Sequence, residues 1–315
     1  MLELQNVSQK YKYGALAIDN FSMRAKQGEI VCVLGKSEAG KTSLLKTIAG
    51  INQISSGEIF FDEKNAKDLT IEERNVFLTQ EKYGFFNNKT VRYNLEYPLR
   101  IRKYAQEEIN SIINNVTDKF NLNDILDVKV RKITKEDRVK VTFARAFLRK
   151  ASVYMFDNVF KISDDRKGTF DRYKPFINEL KENGIVIWAT DSVYECKELD
   201  ATTCVLNYGI HLTTGRIEDI ENNPVSLQLY KFFDNNYQFE DTMVKVKDEK
   251  HCELTILDKK YFILKENLLS NLYYDSEVKV AFKVDDSGIS LDSIKLFDSR
   301  SEYCIYFGKI FDNLI

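Results

Sequence analysis

The sequence predicts an α/β fold, a mainly parallel sheet covered by helices, followed by a small β-rich domain. Three observations predict it. Short continuous apolar runs alternate with helical stretches over the first two thirds of the 315 residues. The composition, 43% hydrophobic and 30% charged, is that of a folded chain rather than a disordered one. From residue 242 on, the pattern changes to short alternating segments such as MVKVK, CELTIL and EVKVAFKV.

Residues 29–34, EIVCVL, read as a buried strand because the run is short, continuous and β-branched. Gly35 ends it. KTSLLKTIA, from Lys41, reads as a helix closed by Gly50 beyond its last turn. SGEIFF restarts a strand. Over residues 105–120, Ile109, Ile112, Ile113, Val116 and Phe120 share one helical face. A helix is expected at about 135–150, a strand at 152–156, a helix within 165–183 and the strand GIVIWAT at 184–190, with Trp188 in the core. A helical PVSLQLYKFF at 224–233 precedes the polar DNNYQFED. The expected domains are therefore 1–235, with a helical subdomain at about 88–150, and 236–315, a small barrel or sandwich.

With 46 basic and 48 acidic residues the net charge is -2, so no basic field points to nucleic acid as a partner. The five cysteines form no CxxC pair and read as buried or incidental thiols. Only two histidines occur, His211 and His251, which argues against a multi-histidine metal site, and both are expected at the surface. No N-terminal run has a secretion-signal layout, and no apolar stretch is long enough to span a membrane.

The most specific motif is GKSEAGKTS, which fits G-x-x-x-x-G-K-[ST] with Gly35, Gly40, Lys41 and Thr42. Backbone N–H groups from such a loop and from the helix that follows it converge on phosphate oxygens. Lys41 would reach the terminal phosphates and the Thr42 hydroxyl would ligate Mg²⁺. Glu38 stands where a third glycine often sits, and is expected to turn toward solvent. Asp157 ends the strand VYMFD and reads as the acid beside this loop that assists the Mg²⁺. A simple acid at the rim of a buried strand is the alternative.

At this point the chain resembles the nucleotide-binding subunits of ATP-binding cassette (ABC) transporters, most of all the carbohydrate-importer type with a small OB-like β domain after the ATPase domain. The residues that carry the likeness are QKYKYG, the phosphate loop, SGEIFFDEKNAKDL, FFNNKTVRYNL, RVKVTFARAFLRKASVYMFD and LTTGRIEDIENNP. The resemblance implies a P-loop fold with ATP and Mg²⁺ held by Tyr11, stacked on adenine, by Gly35, Lys36, Ser37, Glu38, Ala39, Gly40, Lys41, Thr42 and Ser43, by Gln80 and by Asp157. Gln80 and Glu81 compete for the Q-loop position. It also implies transmembrane permease subunits as partners and a cytoplasmic place on the inner face of the membrane. Phe85 and Phe86 would meet a permease helix, or else pack in the core.

The chain departs from the family at several positions. The signature LSGGQ reads ITKED, so Thr134, Lys135, Glu136 and Asp137 stand where the family grips the partner's γ-phosphate. Thr134 can still cap the helix with Asp137. Glu136 opposes a phosphate, and either the sandwich is weak there or Lys135 offsets the charge. Asn158 stands at the catalytic glutamate and Asp191 at the switch histidine, where an aspartate would repel the γ-phosphate. The D-loop reads KISD and keeps Asp164. The family's ATPase activity is thus in question, and a heterodimer with an intact ATPase subunit is expected. A non-catalytic, ATP-dependent scaffold and a soluble P-loop phosphotransferase are the alternatives.

Overall fold

The computed structural model describes residues 1–11, 13–79, 84–222, 224–233, 237–268, 276–285, 288–299, 301, 303–306 and 310–312. The chain divides into two compact units, Met1–Ile217 and Glu218–Ile315.

The first unit contains the strands β1 (Leu2–Lys10), β2 (Leu16–Ala25), β3 (Ile30–Leu34), β4 (Ser56–Phe61), β5 (Lys64–Asn65), β6 (Val76–Leu78), β7 (Val153–Asp157), β8 (Ile185–Thr190), β9 (Thr202–Asn207) and β10 (Ile210–Arg216). Its helices are α1 (Lys41–Ile48), α2 (Val91–Ile101), α3 (Gln106–Lys119), α4 (Lys135–Arg149), α5 (Arg166–Asn183) and α6 (Val193–Glu198). The strands form one ten-stranded sheet in the order β5-β4-β1-β2-β10-β9-β3-β8-β7-β6. From β9 to β6 every pairing is parallel. Every residue of β3, β7 and β8 is buried, as expected where helices cover both faces of a parallel sheet.

The sheet is mainly parallel as expected, and its other side is mixed, with β10 parallel to β2. β1 pairs antiparallel with both β2 and β4, β4 with β5, and β10 with β9. These strands alternate or mix polar and apolar residues, LELQNVSQK being one, so they lack the continuous apolar run that revealed the central strands.

The helices follow the sequence reading closely. α3 buries Ile109 and Ile113 on one face. α4 starts on Thr134, whose side chain accepts a hydrogen bond from the Asp137 N–H. Behind the site, Phe143, Phe156, Phe160, Phe170, Tyr173 and Trp188 pack ring on ring, and Trp188 is in the core as expected.

The second unit carries α7 (Ile217–Asn222, which starts at the division) and α8 (Leu227–Phe233), then β11 (Gln238–Val246), β12 (His251–Ile256), β13 (Lys259–Leu264), β14 (Ser276–Phe282), β15 (Val284–Asp285), β16 (Gly288–Ile289), β17 (Lys295–Asp298) and β18 (Ile310–Phe311). Six of these strands form an antiparallel sheet in the order β17-β14-β11-β12-β13-β18. Its core includes Leu254, Ile256, Ile263, Val278, Val280 and Leu296. The division at Ile217 falls earlier than the boundary set at 235, because Leu227 and Tyr230 of α8 pack with Ala281, Phe297 and Cys304 of the β-rich unit. Among the described residues, no helix is long and apolar enough to cross a membrane.

Candidate functional site

β3, β7 and β8 run parallel, so their C-terminal ends meet at one edge of the sheet, where ligands of such folds bind. Gly35 follows β3, Asp157 ends β7 and Asp191 follows β8. A cavity of about 480 Å³ opens in this unit. Its walls include Ser37–Ser43, Tyr11, Asn158, Lys161 and Tyr208.

The loop conformation explains its glycines. Gly40 has φ +102, and a Cβ there would lie 2.6 Å from the Ala17 carbonyl oxygen. Glu38 is exposed, as expected, yet it adopts φ +64, the left-handed region that a glycine would enter more easily. Lys41 is only 5% exposed, and its amine donates to the carbonyls of Gly35 at 2.6 Å and Lys36 at 2.9 Å. Burial pushes the Lys41 amine down, Asp191 and Asp157 hold it up, and Lys161 and Arg166 push it down again, for a net decrease. Thr42 Oγ1 donates to Asp157 Oδ2 at 2.7 Å, so the hydroxyl and the acid assigned to Mg²⁺ stand together.

Tyr11 is 52% exposed, and its hydroxyl lies 3.0 Å from Ser43 Oγ. Gln80 and Glu81 lie outside the described residues. Tyr208 was not foreseen. It sits with φ +46 in the Tyr208–Gly209 turn between β9 and β10, whose Gly209 N–H donates to Ala39 O at 2.9 Å. The NYG turn signal was visible in the sequence, but nothing there tied it to the loop.

Asn158 is held by its backbone N–H, which donates to Ala189 O at 2.9 Å, and it has φ +48. Asparagine tolerates that conformation better than most residues. Its Oδ1 is buried without a hydrogen-bond partner.

Two expectations about charge change. Asp191 does not stand alone against a phosphate, because Arg166 Nη1 donates to its Oδ1 at 2.5 Å. Arg166 also donates to Glu195 at 2.7 Å and to Thr190 Oγ1 at 2.9 Å. Burial disfavours the Arg166 charge, but Glu195 and Asp191 outweigh it and raise its pKa. At the signature the cation bonded to Glu136 is Arg172, while Lys135 pairs with Asp164 at 2.6 Å. Thr134 and Asp137 do form the expected cap.

Phe85 and Phe86 part company, since Phe85 is 9% exposed and Phe86 44%. Phe86 stacks edge-on against Tyr93 and Tyr97. The histidines are not plainly at the surface. His211 is half-buried against the Phe21 ring, and His251 is half-buried beside Asp248. All five cysteines are buried free thiols. Among the described residues, no group of three or more His, Cys, Asp and Glu side chains converges as a metal cluster.

A glycine-rich loop between a buried parallel strand and a helix, with an acid on a nearby strand bonded to the loop's threonine, defines a P-loop nucleotide-binding fold. Comparison with known proteins agrees. Residues 18–161 match the family described as ABC transporter. The likeness to an ABC transporter domain lies in that segment.

Among curated relatives, the sn-glycerol-3-phosphate import ATP-binding protein of Bartonella quintana is 32% identical over 157 residues, 50% of this chain and 45% of that protein. Its counterpart from Roseobacter denitrificans is 29% identical over 231 residues, 73% of this chain and 64% of that one. The spermidine/putrescine import ATP-binding protein of Mannheimia succiniciproducens is 26% identical over 289 residues, 90% of this chain and 74% of that protein. The chain thus spans 45% and 64% of the lengths of the first two. A solved structure from Clostridium perfringens, part of an ABC transporter complex, has a TM-score of 0.61 at 19% identity and covers 70% of this chain and 89% of its own. A dimeric ATP-binding cassette bound to ADP and phosphate has a TM-score of 0.62 at 21% identity, covering 69% of this chain and 99% of its own.

Proposed function

We propose that this chain is the ATP-binding subunit of an ABC importer, and that by itself it binds ATP but hydrolyses it very slowly. The observation that carries this reading is the 480 Å³ cavity in which the phosphate loop, Tyr11 and Asn158 meet. Loop N–H groups and the start of α1 present donors for phosphate oxygens. Lys41 turns from the carbonyls of Gly35 and Lys36 to reach the terminal phosphates. The half-exposed Tyr11 ring offers a face for adenine.

The residues present fit Mg²⁺. The ion prefers oxygen ligands, keeps several waters, and needs only one or two protein oxygens beside the phosphates. The Thr42 hydroxyl would hold it, and Asp157 would hold one of its waters. When bound, Mg²⁺ neutralises charge on the phosphates.

Slow hydrolysis follows from Asn158. An amide has no lone pair basic enough to take a proton from water near neutral pH. General-base help typically contributes about 10²–10⁴-fold. The paired Lys135–Asp164 and Glu136–Arg172 side chains at the signature add to this reading. In a self-dimer both composite sites would join two altered halves. With an intact ATPase partner, each site receives one complete half, so a heterodimer on permease subunits at the inner face of the membrane is the preferred assembly. The relatives named for sn-glycerol-3-phosphate favour a small polyol-phosphate cargo, and the one named for spermidine/putrescine a polyamine.

Calorimetric titration with MgATP tests the binding. Saturable heat in the wild type and none in Lys41→Ala is expected, and a flat wild-type titration overturns the reading. Phosphate release by the wild type is expected near background. A brisk rate that Lys41→Ala abolishes would overturn the slow-hydrolysis part alone.

A further inference from the structure

We propose that Lys161 is a second cationic ligand for the terminal phosphate of a bound nucleoside triphosphate. This rests on the reading of the cavity as an ATP site. Lys161 lines that cavity together with Ser37–Ser43 and Asn158.

The backbone around Lys161 is pinned. The Asn158 N–H is tied to β8 through Ala189 O, and the Lys161 N–H donates to Asn158 O at 3.0 Å. Between them Val159 and Phe160 are both buried, and the Phe160 ring packs on Phe143, Phe170 and Trp188. The turn therefore cannot carry its lysine away from the cavity without unpacking the aromatic core. A lysine in a well-anchored turn loses less freedom on gripping an anion than one on a mobile loop.

Charge supports the same assignment. Lys161 is near enough to disfavour the charged form of the buried Lys41 amine. Two lysines that face one cavity repel each other, and a polyanion between them turns that repulsion into attraction. The orphaned Asn158 Oδ1 beside Lys161 lacks a donor, as expected where a bound ligand or its water supplies one.

The position also says which phosphate. Thr42 and Asp157 mark the metal side of the triphosphate, and Lys161 lies past Asp157 on the turn that carries Asn158. On this proposal, that is the end where a third phosphate would lie and a diphosphate would stop short. Lys161 is thus a residue that favours the triphosphate over the diphosphate.

Calorimetry on the full chain compares MgATP and MgADP in the wild type, Lys161→Gln and Lys161→Arg. Lys161→Gln is expected to weaken MgATP about tenfold and MgADP less than twofold, while Lys161→Arg stays within about threefold of the wild type for both. Thermal melts check the fold, and Lys161→Met replaces the glutamine variant if that one unfolds. Unchanged MgATP affinity in the uncharged variant overturns the role of Lys161 alone. Equal weakening of MgATP and MgADP overturns it too, since it signals a general field or a structural effect. A wild type that binds neither nucleotide overturns the ATP-site reading as well.

Discussion

Arg166 Nη1 and Asp191 Oδ1 stand 2.5 Å apart, so the aspartate that follows β8 meets any ligand already paired. Arg166 sits at the start of α5 and joins that helix to β8 and α6 through Thr190 and Glu195.

Arg166→Leu is expected to lower stability by about 2–3 kcal/mol, less than the roughly 3–5 kcal/mol for a fully buried pair, because Arg166 and Asp191 keep partial contact with water. Most of the loss comes from Glu195, which is left buried. MgATP affinity is expected to fall as well, because the Asp191 charge faces the phosphates unopposed. Urea unfolding and nucleotide titration check both. The added Asp191→Asn substitution is expected to recover the affinity but not the stability.

Asn158 has φ +48, so the backbone itself restricts what can replace it. Asn158→Ala is expected to destabilise by about 1 kcal/mol, while Asn158→Gly stays within about 0.5 kcal/mol of the wild type. Asn158→Glu should carry the same backbone penalty as alanine. Paired thermal melts of the three variants decide it. Equal melting temperatures for the alanine and glycine variants would refute the backbone argument.

Thr134 caps α4, and Thr134→Ala is expected to cost about 1 kcal/mol near neutral pH. Burial alone would raise the Asp137 carboxyl, but hydrogen bonds from Lys140 and Thr134 hold it below the ordinary value of 3.8. A depressed carboxylate stabilises the fold above its unfolded pKa, and the gain is lost as pH falls through the folded one. The difference between wild type and Thr134→Ala should therefore shrink as pH drops below about 4, read from chemical unfolding at stepped pH.

Burial holds the His211 imidazole below its ordinary pKa of 6.5, against a hydrogen bond with the Thr213 carbonyl. The unfolded state then takes up the proton first. Stability from this residue is present above about pH 6.5, falls as pH drops through that value, and levels off below the folded pKa. Replacement by glutamine should flatten this part of the stability profile, measured by urea unfolding from pH 7.5 down to 5 (about ten conditions suffice).

The central half of the first sheet was legible because its strands are continuous apolar runs, while β1 and β2 hid behind mixed patterns. The phosphate loop and Asp157 were legible because their chemistry needs fixed residue types at fixed spacing. The partners of the altered positions were not. Arg166, Arg172 and Lys161 are ordinary charged residues in sequence, and only the fold brings them to Asp191, Glu136 and the cavity. Gly35 reads in sequence as a strand end and the first glycine of the loop, but a Cβ there would also lie 2.8 Å from Leu206 O, a constraint invisible before β9 is placed.

The Lys41 amine is already engaged, with the carbonyls of Gly35 and Lys36 as its partners. An incoming anion has to outcompete two well-made contacts before it gains the lysine. A longer chain of phosphates can meet more of the loop N–H groups at once than a single small anion can. The resting latch on Lys41 thus sets a competition between the loop's own carbonyls and any ligand that seeks this side chain.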